Sequence, residues 1–129
     1  MRRLASGLVL AMASCAPSMA TEQCPAGSAD YDDIIAAISA APNCARAAQV
    51  MNACSFNASG DVGLAQAVED KCEPVFLARL SPAERRRYAA AGARCLGKYA
   101  GEEGSMYVSF AATCKAKVAV DYAGKYGVR

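Results

Sequence analysis

The distribution of cysteines constrains this 129-residue chain more than any other feature of its sequence. Six of its seven cysteines follow residue 20: Cys24, Cys44, Cys54, Cys72, Cys95 and Cys114. An even number in a short exported chain is typical of a disulfide framework, because a domain of this size buries only a modest core. Zinc sites use close C-x2-C pairs, usually with histidine, and redox catalysis uses C-x-x-C. These cysteines lie ten to twenty-three residues apart and the chain has no histidine, so we predict structural disulfides and neither a metal nor a cofactor.

The N-terminal segment predicts export. Two arginines precede an apolar stretch over residues 4–13, and Ser18-Met19-Ala20 places small residues at the −3 and −1 positions of a cleavage site. We therefore predict a signal peptide over residues 1–20 and a single domain over residues 21–129, in the periplasm or outside the cell. The apolar stretch is too short to cross a bilayer, which needs roughly 20 residues. Met12-Ala13-Ser14-Cys15 resembles a lipobox, so a lipid anchor at Cys15 is the alternative.

Charge argues against a nucleic-acid partner. The chain has 14 basic and 12 acidic residues, and removal of Arg2 and Arg3 with the signal leaves 12 of each. A formally neutral domain lacks the net basic surface that displaces counterions from nucleic acid. The only basic cluster is Arg85-Arg86-Arg87. Successive helix residues diverge by about 100° around the axis, so this cluster predicts a solvated face.

Helix start and stop signals predict an all-α fold, a small disulfide-stapled bundle of four to five short helices. Ser28 or Asp30 can cap a first helix that ends before Pro42, and Asn43 can cap a second. A third helix is expected from about Asp61, with a break or kink at Pro74.

The second half of the chain predicts two more helices. Ser81-Pro82-Ala83-Glu84 has the pattern of a capping box and should begin a fourth helix that runs to about Tyr99. After the break at residues 101–104, a fifth helix should extend to about Gly124. Its expected inner side carries the following residues: Tyr107, Phe110, Ala111, Cys114, Val118 and Tyr122.

Nothing in the sequence indicates catalysis. The chain lacks a histidine base, a G-x-S-x-G elbow and a glycine-rich phosphate loop before a helix. The acidic pairs Asp32-Asp33, Glu69-Asp70 and Glu102-Glu103 are neighbours in sequence. On a helix such neighbours point about 100° apart, so they predict solvated charge rather than a carboxylate dyad. We expect the protein not to be an enzyme.

Residues 44–122 carry an ordered set of short motifs. They are Met51-Asn52-Ala53-Cys54, Asp61-Val62-Gly63-Leu64, Leu80-Ser81-Pro82, Gly104-Ser105-Met106 and the closing Cys114. In order and spacing they resemble the LprI-like lysozyme-inhibitor family. The chain departs from that pattern at Ala65, where the family usually has asparagine, and at Cys95, where it usually has tryptophan. Cys44 also lies closer to Cys54 than the family pattern expects, so the chain resembles a divergent member.

The resemblance implies an exported binding module that inhibits a lysozyme-like glycan hydrolase. The alternative is a structural or stress-related protein of the cell envelope with no enzyme partner. Because helical faces are used by the core and the disulfides, we expect the contacts to come from connecting loops. The candidate contact residues are Asn57, Ser59, Gly60, Glu102, Glu103 and Ser105.

The disulfide pairing is predicted from helix heights in an up-down bundle. In that topology the second and fourth helices run in the same direction, as do the third and fifth. Cys54 and Cys95 then lie within about 3 Å in height, and Cys72 and Cys114 are level. We therefore predict Cys54–Cys95 and Cys72–Cys114, with Cys24 joined to Cys44.

Overall fold

The computed structural model describes residues 23–127, which form five α-helices and one 3-10 turn without strands. This confirms the predicted all-α bundle stapled by disulfides. The predicted signal peptide and the alternative lipid anchor at Cys15 lie outside the described residues. None of the helices in the described part of the chain is both long enough and apolar enough to cross a membrane.

The helices begin where the sequence predicts. They are α1 (Tyr31–Ala40), α2 (Cys44–Cys54), α3 (Asp61–Phe76), α4 (Pro82–Tyr99) and α5 (Ser105–Tyr126), with the 3-10 turn at Leu77–Arg79. Asp30 caps α1 by accepting from the Asp32 N–H at 3.0 Å, and Asn43 caps α2 by accepting from the Arg46 N–H at 2.9 Å. The predicted capping box at α4 is present in both directions. Local capping chemistry therefore fixes these starts.

α3 is not broken at Pro74, where a break or kink is predicted; the helix continues for two more residues before the 3-10 turn begins. A proline removes one intrahelical hydrogen bond, the one that the carbonyl four residues earlier would accept. That residue is Asp70, which is exposed, so water can satisfy its carbonyl. The buried side chain of Phe76, which follows the proline, holds the last turn against the core.

α5 is the central helix, and its buried face agrees only in part with the predicted inner side: Ala111 is buried and Tyr122 packs against the core, but Tyr107 and Phe110 do not. Its most extensive contact is with α3. The face that packs there consists of small residues: Ser109, Ala112, Ala116 and Ala119. Small side chains let two helix axes approach closely, whereas Tyr107 is half-buried and Phe110 is 38% exposed. The helix also continues past Gly124 to Tyr126.

The contacts fix the directions of the helices. Asp61 meets Ser109 near the start of α3 and α5, and Phe76 meets Tyr122 near their ends, so these helices run parallel. The Tyr31 ring lies beside Gly63 at the starts of α1 and α3, and the Lys71 ammonium donates to the Ser39 carbonyl further along both, so α1 runs parallel to α3. Helices α2 and α4 run the opposite way. The N-termini of α1, α3 and α5 therefore lie at one end of the bundle.

α4 packs mainly on α5 and has only one buried residue, Cys95. An aromatic cluster of Phe76, Tyr88 and Tyr122, with ring centroids 5.0–5.8 Å apart, attaches its first half. The Tyr88 hydroxyl donates to Glu73 at 2.8 Å. Burial, followed by this hydrogen bond, raises the pKa of Tyr88, so the hydroxyl stays protonated and can keep donating.

All six cysteines form disulfides, but the predicted pairing is wrong. The bonds are Cys24–Cys54, Cys44–Cys72 and Cys95–Cys114. The prediction took α2 and α4 to be neighbours and Cys72 to face α5. α3 and α5 are parallel neighbours as expected, but Cys72 lies on the side of α3 that meets α2, and Cys114 lies on the side of α5 that meets α4. α5 instead lies between α3 and α4, and no extensive contact joins α2 to α4, so Cys54 cannot reach Cys95. Two of the bonds join antiparallel neighbours, Cys44–Cys72 between α2 and α3 and Cys95–Cys114 between α4 and α5. Three disulfides indicate folding in an oxidising compartment.

Candidate functional site

The two loops predicted to bind a partner lie at the same end of the bundle. Residues 55–60 precede α3 and residues 100–104 precede α5. Because α3 and α5 run parallel, both loops emerge together. We call this surface the loop end: residues 55–60, residues 100–105 and the first turns of α3 and α5. All six candidate contact residues are exposed there: Asn57, Ser59, Gly60, Glu102, Glu103 and Ser105.

A buried carboxylate holds the loop end together. Asp61 is fully buried; one of its oxygens accepts from the Phe56 N–H at 2.8 Å and the other from the Ser109 hydroxyl at 2.6 Å. The first bond fixes the loop before α3, and the second joins that loop to α5. A negative side chain in the first turn of a helix is also favoured by the helix dipole. Asp61 is thus a positioning residue for both loops.

Each loop is short and anchored on both sides. Residues 55–60 begin directly after Cys54, which is bonded to Cys24, and end at Asp61. Residues 100–104 join α4 and α5, which the Cys95–Cys114 bond ties together. The turns use backbone conformations with positive φ at Asn57, 54°, and at Gly104, 112°. These anchors present the exposed loop residues in a defined arrangement.

A groove between α3 and α4 opens at the loop end. It consists of two adjoining cavities of about 240 and 330 Å³ that share Glu69, Leu96 and Lys115. α5 forms its floor through Ala111 and Ala112, and we call it the α3–α4 groove. Glu102 and Tyr107 line its mouth, so the groove and the loop end form a continuous surface.

Three apolar side chains at this groove were missed by the sequence analysis. Leu96 is 55% exposed, Val62 46% and Val108 44%. The sequence positions of these residues could have revealed their exposure, because each one lies off the buried face of its own helix. Apolar side chains surrounded by polar groups are the usual anatomy of a protein-binding surface.

The groove also contains the one acidic pair that behaves differently from the prediction. Glu69 is 7% exposed, whereas its neighbour Asp70 and the pairs Asp32-Asp33 and Glu102-Glu103 are exposed as expected. A Glu69 carboxylate oxygen lies 3.4 Å from the Lys115 ammonium. Burial raises the pKa of Glu69, and the nearby Lys115 only partly offsets that effect. The ionised form of Glu69 is therefore less stable in the groove than it would be in water.

This raised pKa predicts how stability depends on pH. Native Glu69 binds a proton more tightly than in the unfolded chain, so its contribution to stability is present below its ordinary pKa of 4.5 and is lost as pH rises through the native value. Glu69→Gln does not titrate at this site. We therefore expect the free energy of unfolding of Glu69→Gln, relative to wild type, to increase between about pH 4 and pH 7.

Urea denaturation of both proteins across this pH range measures the difference. Glu103→Gln is the control, because it makes the same replacement at an exposed site that is not among the charges acting on Glu69, and its difference from wild type should change less with pH. A relative loss of stability in Glu69→Gln as pH rises would show that the Lys115 ion pair outweighs burial.

The exposed charges at the loop end are mostly acidic. Glu102 and Glu103 lie on one loop, and Asp30, Asp32 and Asp33 lie just outside the loop end, at the start of α1, whose Tyr31 ring approaches Gly63 of α3. On α4, the cation nearest in sequence to Glu102 is Lys98. The loop end therefore has the charge that complements a basic partner. No family model, curated protein or solved structure matches the chain significantly.

Proposed function

We propose that this protein is an exported binding module of the periplasm or cell surface that inhibits a lysozyme-type glycan hydrolase through its loop end. The observation that carries the proposal is the convergence of residues 55–60 and 100–105 on one end of the bundle. The resemblance to the LprI-like family supplies the class of enzyme, and the position of the loops supplies the surface.

The rigidity of the loop end supports an inhibitory role. A binding surface that is already ordered loses less conformational entropy on association. Disulfide Cys24–Cys54 and the buried Asp61 fix the two ends of residues 55–60, so this loop is held before a partner arrives. Residues 100–104 are held by the helices on either side.

The chemistry of the loop end favours one class of partner. Val62, Tyr107 and Val108 offer an apolar centre beside Glu102 and Glu103. Acidic groups around an apolar centre attract a basic protein and orient it during encounter. A basic C-type lysozyme fits this description and is the partner that we would test.

Two variants test the loop end. Glu102→Lys/Glu103→Lys reverses its charge, and Val62→Asp places a charge in its apolar centre. We expect each to weaken inhibition of a basic lysozyme at least tenfold, because charge reversal repels the partner and a buried unpaired carboxylate costs more than about 1.4 kcal/mol. The readout is the clearing of a bacterial cell suspension by lysozyme, followed by turbidity, with increasing amounts of the purified domain.

Val75→Asp is the matched control, since Val75 is an exposed valine at the opposite end of α3. It should inhibit as wild type does, and all three variants should keep the helical circular dichroism spectrum. Failure of the unmodified domain to inhibit would contradict the proposal and favour a structural role in the cell envelope. Equal effects of Val62→Asp and Val75→Asp would place the contact elsewhere.

A further inference from the structure

The half of the α3–α4 groove nearest the loop end is a cavity of about 240 Å³ that contains a buried acidic group. Val62, Leu96 and Val108 supply apolar walls, and Tyr107 lies at the mouth. The side chain of Glu69 also lines this space, although it is only 9% exposed. We call this half of the groove the Glu69 cavity. It combines apolar walls with a carboxylate that water reaches poorly.

The charges along the whole α3–α4 groove are unequal. Three carboxylates line it, those of Glu69, Glu73 and Glu102, and within residues 23–127 Lys115 is the only cation that lines it. The wall formed by α4 contributes no charged residue. Lys98 lies beside that wall, with its ammonium over a neighbouring tyrosine ring at 5.2 Å. Even when Lys98 is counted, the groove has more acidic than basic groups, so it has the charge to accept a cation.

The contact between Glu69 and Lys115 leaves the carboxylate able to accept further hydrogen bonds. Their charged atoms are 3.4 Å apart, whereas charge-assisted hydrogen bonds between such groups measure about 2.7–2.9 Å. A carboxylate can accept about four hydrogen bonds, and within residues 23–127 no group besides Lys115 donates to that of Glu69. The Lys115 side chain is 35% exposed, so its ammonium can turn towards solvent when a second cation enters.

An arginine side chain suits this cavity better than a lysine side chain. A guanidinium group is more weakly hydrated than an ammonium group, stacks on aromatic rings and presents several donors in one plane. Its alkyl stem can lie along apolar side chains while the charged head reaches a polar partner. In the Glu69 cavity the stem would lie between the α3 and α4 walls, beside the Tyr107 ring, and the head would meet the carboxylate.

We propose that an arginine side chain of the lysozyme-type enzyme enters the Glu69 cavity in the complex and pairs with the Glu69 carboxylate. This inference rests on the proposed function, because the cavity opens beside the loops that are expected to contact the enzyme. It adds an anchor to the loop end. Arginines that fill a pocket at the centre of an interface often carry a large share of the binding energy.

Two variants test the cavity in titration calorimetry with a basic C-type lysozyme. Glu69→Gln removes the charge and keeps the size, and it should fold because burial disfavours that charge. Leu96→Trp narrows the entrance from an exposed position. We expect each to weaken binding at least tenfold, because the arginine then loses its partner or its access. Val75→Trp is the matched control at the opposite end of α3 and should bind as wild type does.

Modification of the enzyme identifies the group that enters. Blocking the arginines of lysozyme with a dicarbonyl reagent should weaken its binding to wild type at least tenfold. It should have clearly less effect on binding to Glu69→Gln, because that pair is already broken. Acetylation of the lysines should weaken binding to both proteins by the same factor, since it changes only the overall charge. Coupling of Glu69→Gln to acetylation instead would overturn the proposal, because the occupant would then be a lysine.

A small probe tests the cavity without the enzyme. Nα-acetyl-arginine amide should shift the backbone amide NMR signals of residues 66–69 and 107–115 in wild type. Nα-acetyl-lysine amide at the same concentration should shift them less, and Glu69→Gln should respond to neither probe. Equal shifts from the two probes would overturn the choice of arginine, because the cavity would then respond to charge alone.

These experiments separate failure of this inference from failure of the proposed function. If wild type inhibits lysozyme and Glu69→Gln binds it within about twofold of wild type, the inference is wrong and the proposed function stands. If wild type inhibits no lysozyme, the proposed function fails and the arginine probe decides alone. Shifts that Glu69→Gln abolishes would then support an arginine site for another basic partner, and the absence of shifts would overturn the site.

Discussion

Replacing Cys44 and Cys72 together by alanine should lower the free energy of unfolding by about 4 kcal/mol. The bond closes a segment of 28 residues, and the loop-closure entropy for such a length contributes about 3.5 kcal/mol. Both cysteines are also buried, Cys72 completely, so removal of the sulfur atoms leaves space in the core and adds a packing cost. Urea denaturation followed by circular dichroism measures the loss.

The pair Cys24→Ala/Cys54→Ala is the matched control because it opens a segment of similar length, 30 residues. Cys24 is only half-buried, so this variant should lose a similar entropic contribution but less packing energy. It should therefore remain the more stable of the two variants. A loss below about 1 kcal/mol for the Cys44/Cys72 variant would contradict the bond between α2 and α3.

The second large effect is expected from Asp61→Ala, which should destabilise the fold by about 3 kcal/mol. Alanine leaves the buried Ser109 hydroxyl and the part-buried Phe56 N–H without their acceptor, and an unsatisfied buried group costs roughly 1 to 3 kcal/mol. It also removes a negative charge from the first turn of α3, which the helix dipole favours. Thermal or urea unfolding measures the change.

Asp70→Ala is the control on the same helix, because Asp70 is exposed and only accepts from the Gln66 amide; its effect should stay within about 0.5 kcal/mol. The Asp61/Ser109 pair can be isolated by adding Ser109→Ala to each background. We expect Ser109→Ala to cost clearly less when Asp61 is already alanine. Equal costs in both backgrounds would show that the two side chains do not interact.

Local chemistry made the starts of the helices predictable. It did not reveal which helices pack against one another. Caps such as Asn43 and the Ser81–Glu84 box act within four residues, so the sequence alone reveals them. The disulfide map depends on which helices are neighbours in space. α5 packs on both α3 and α4 and so separates α2 from α4, and Cys72 faces α2 whereas Cys114 faces α4. Neither the separation nor the facing can be read from local sequence signals.

The candidate site was predictable in the same limited way. Exposed turn residues such as Asn57 and Glu102 can be found from composition, and the up-down topology already predicts that α3 and α5 run in the same direction. The convergence of the two loops also requires α3 and α5 to be direct neighbours, which only the structure shows. The burial of Glu69 could not be read from its pairing with Asp70, because only the position of α4 and Lys115 closes the groove over it. Val62 and Val108 could be recognised as candidate contact residues only from their exposure in the structure.

Hydrogen–deuterium exchange of the domain in the presence and absence of a basic C-type lysozyme shows whether the loop end is the binding surface. We expect added protection in residues 55–62 and 100–108, which form the loop end and the mouth of the α3–α4 groove, and unchanged exchange near residues 76–85 at the opposite end. Protection confined to that opposite end, or no change anywhere at saturating lysozyme, would contradict the proposal.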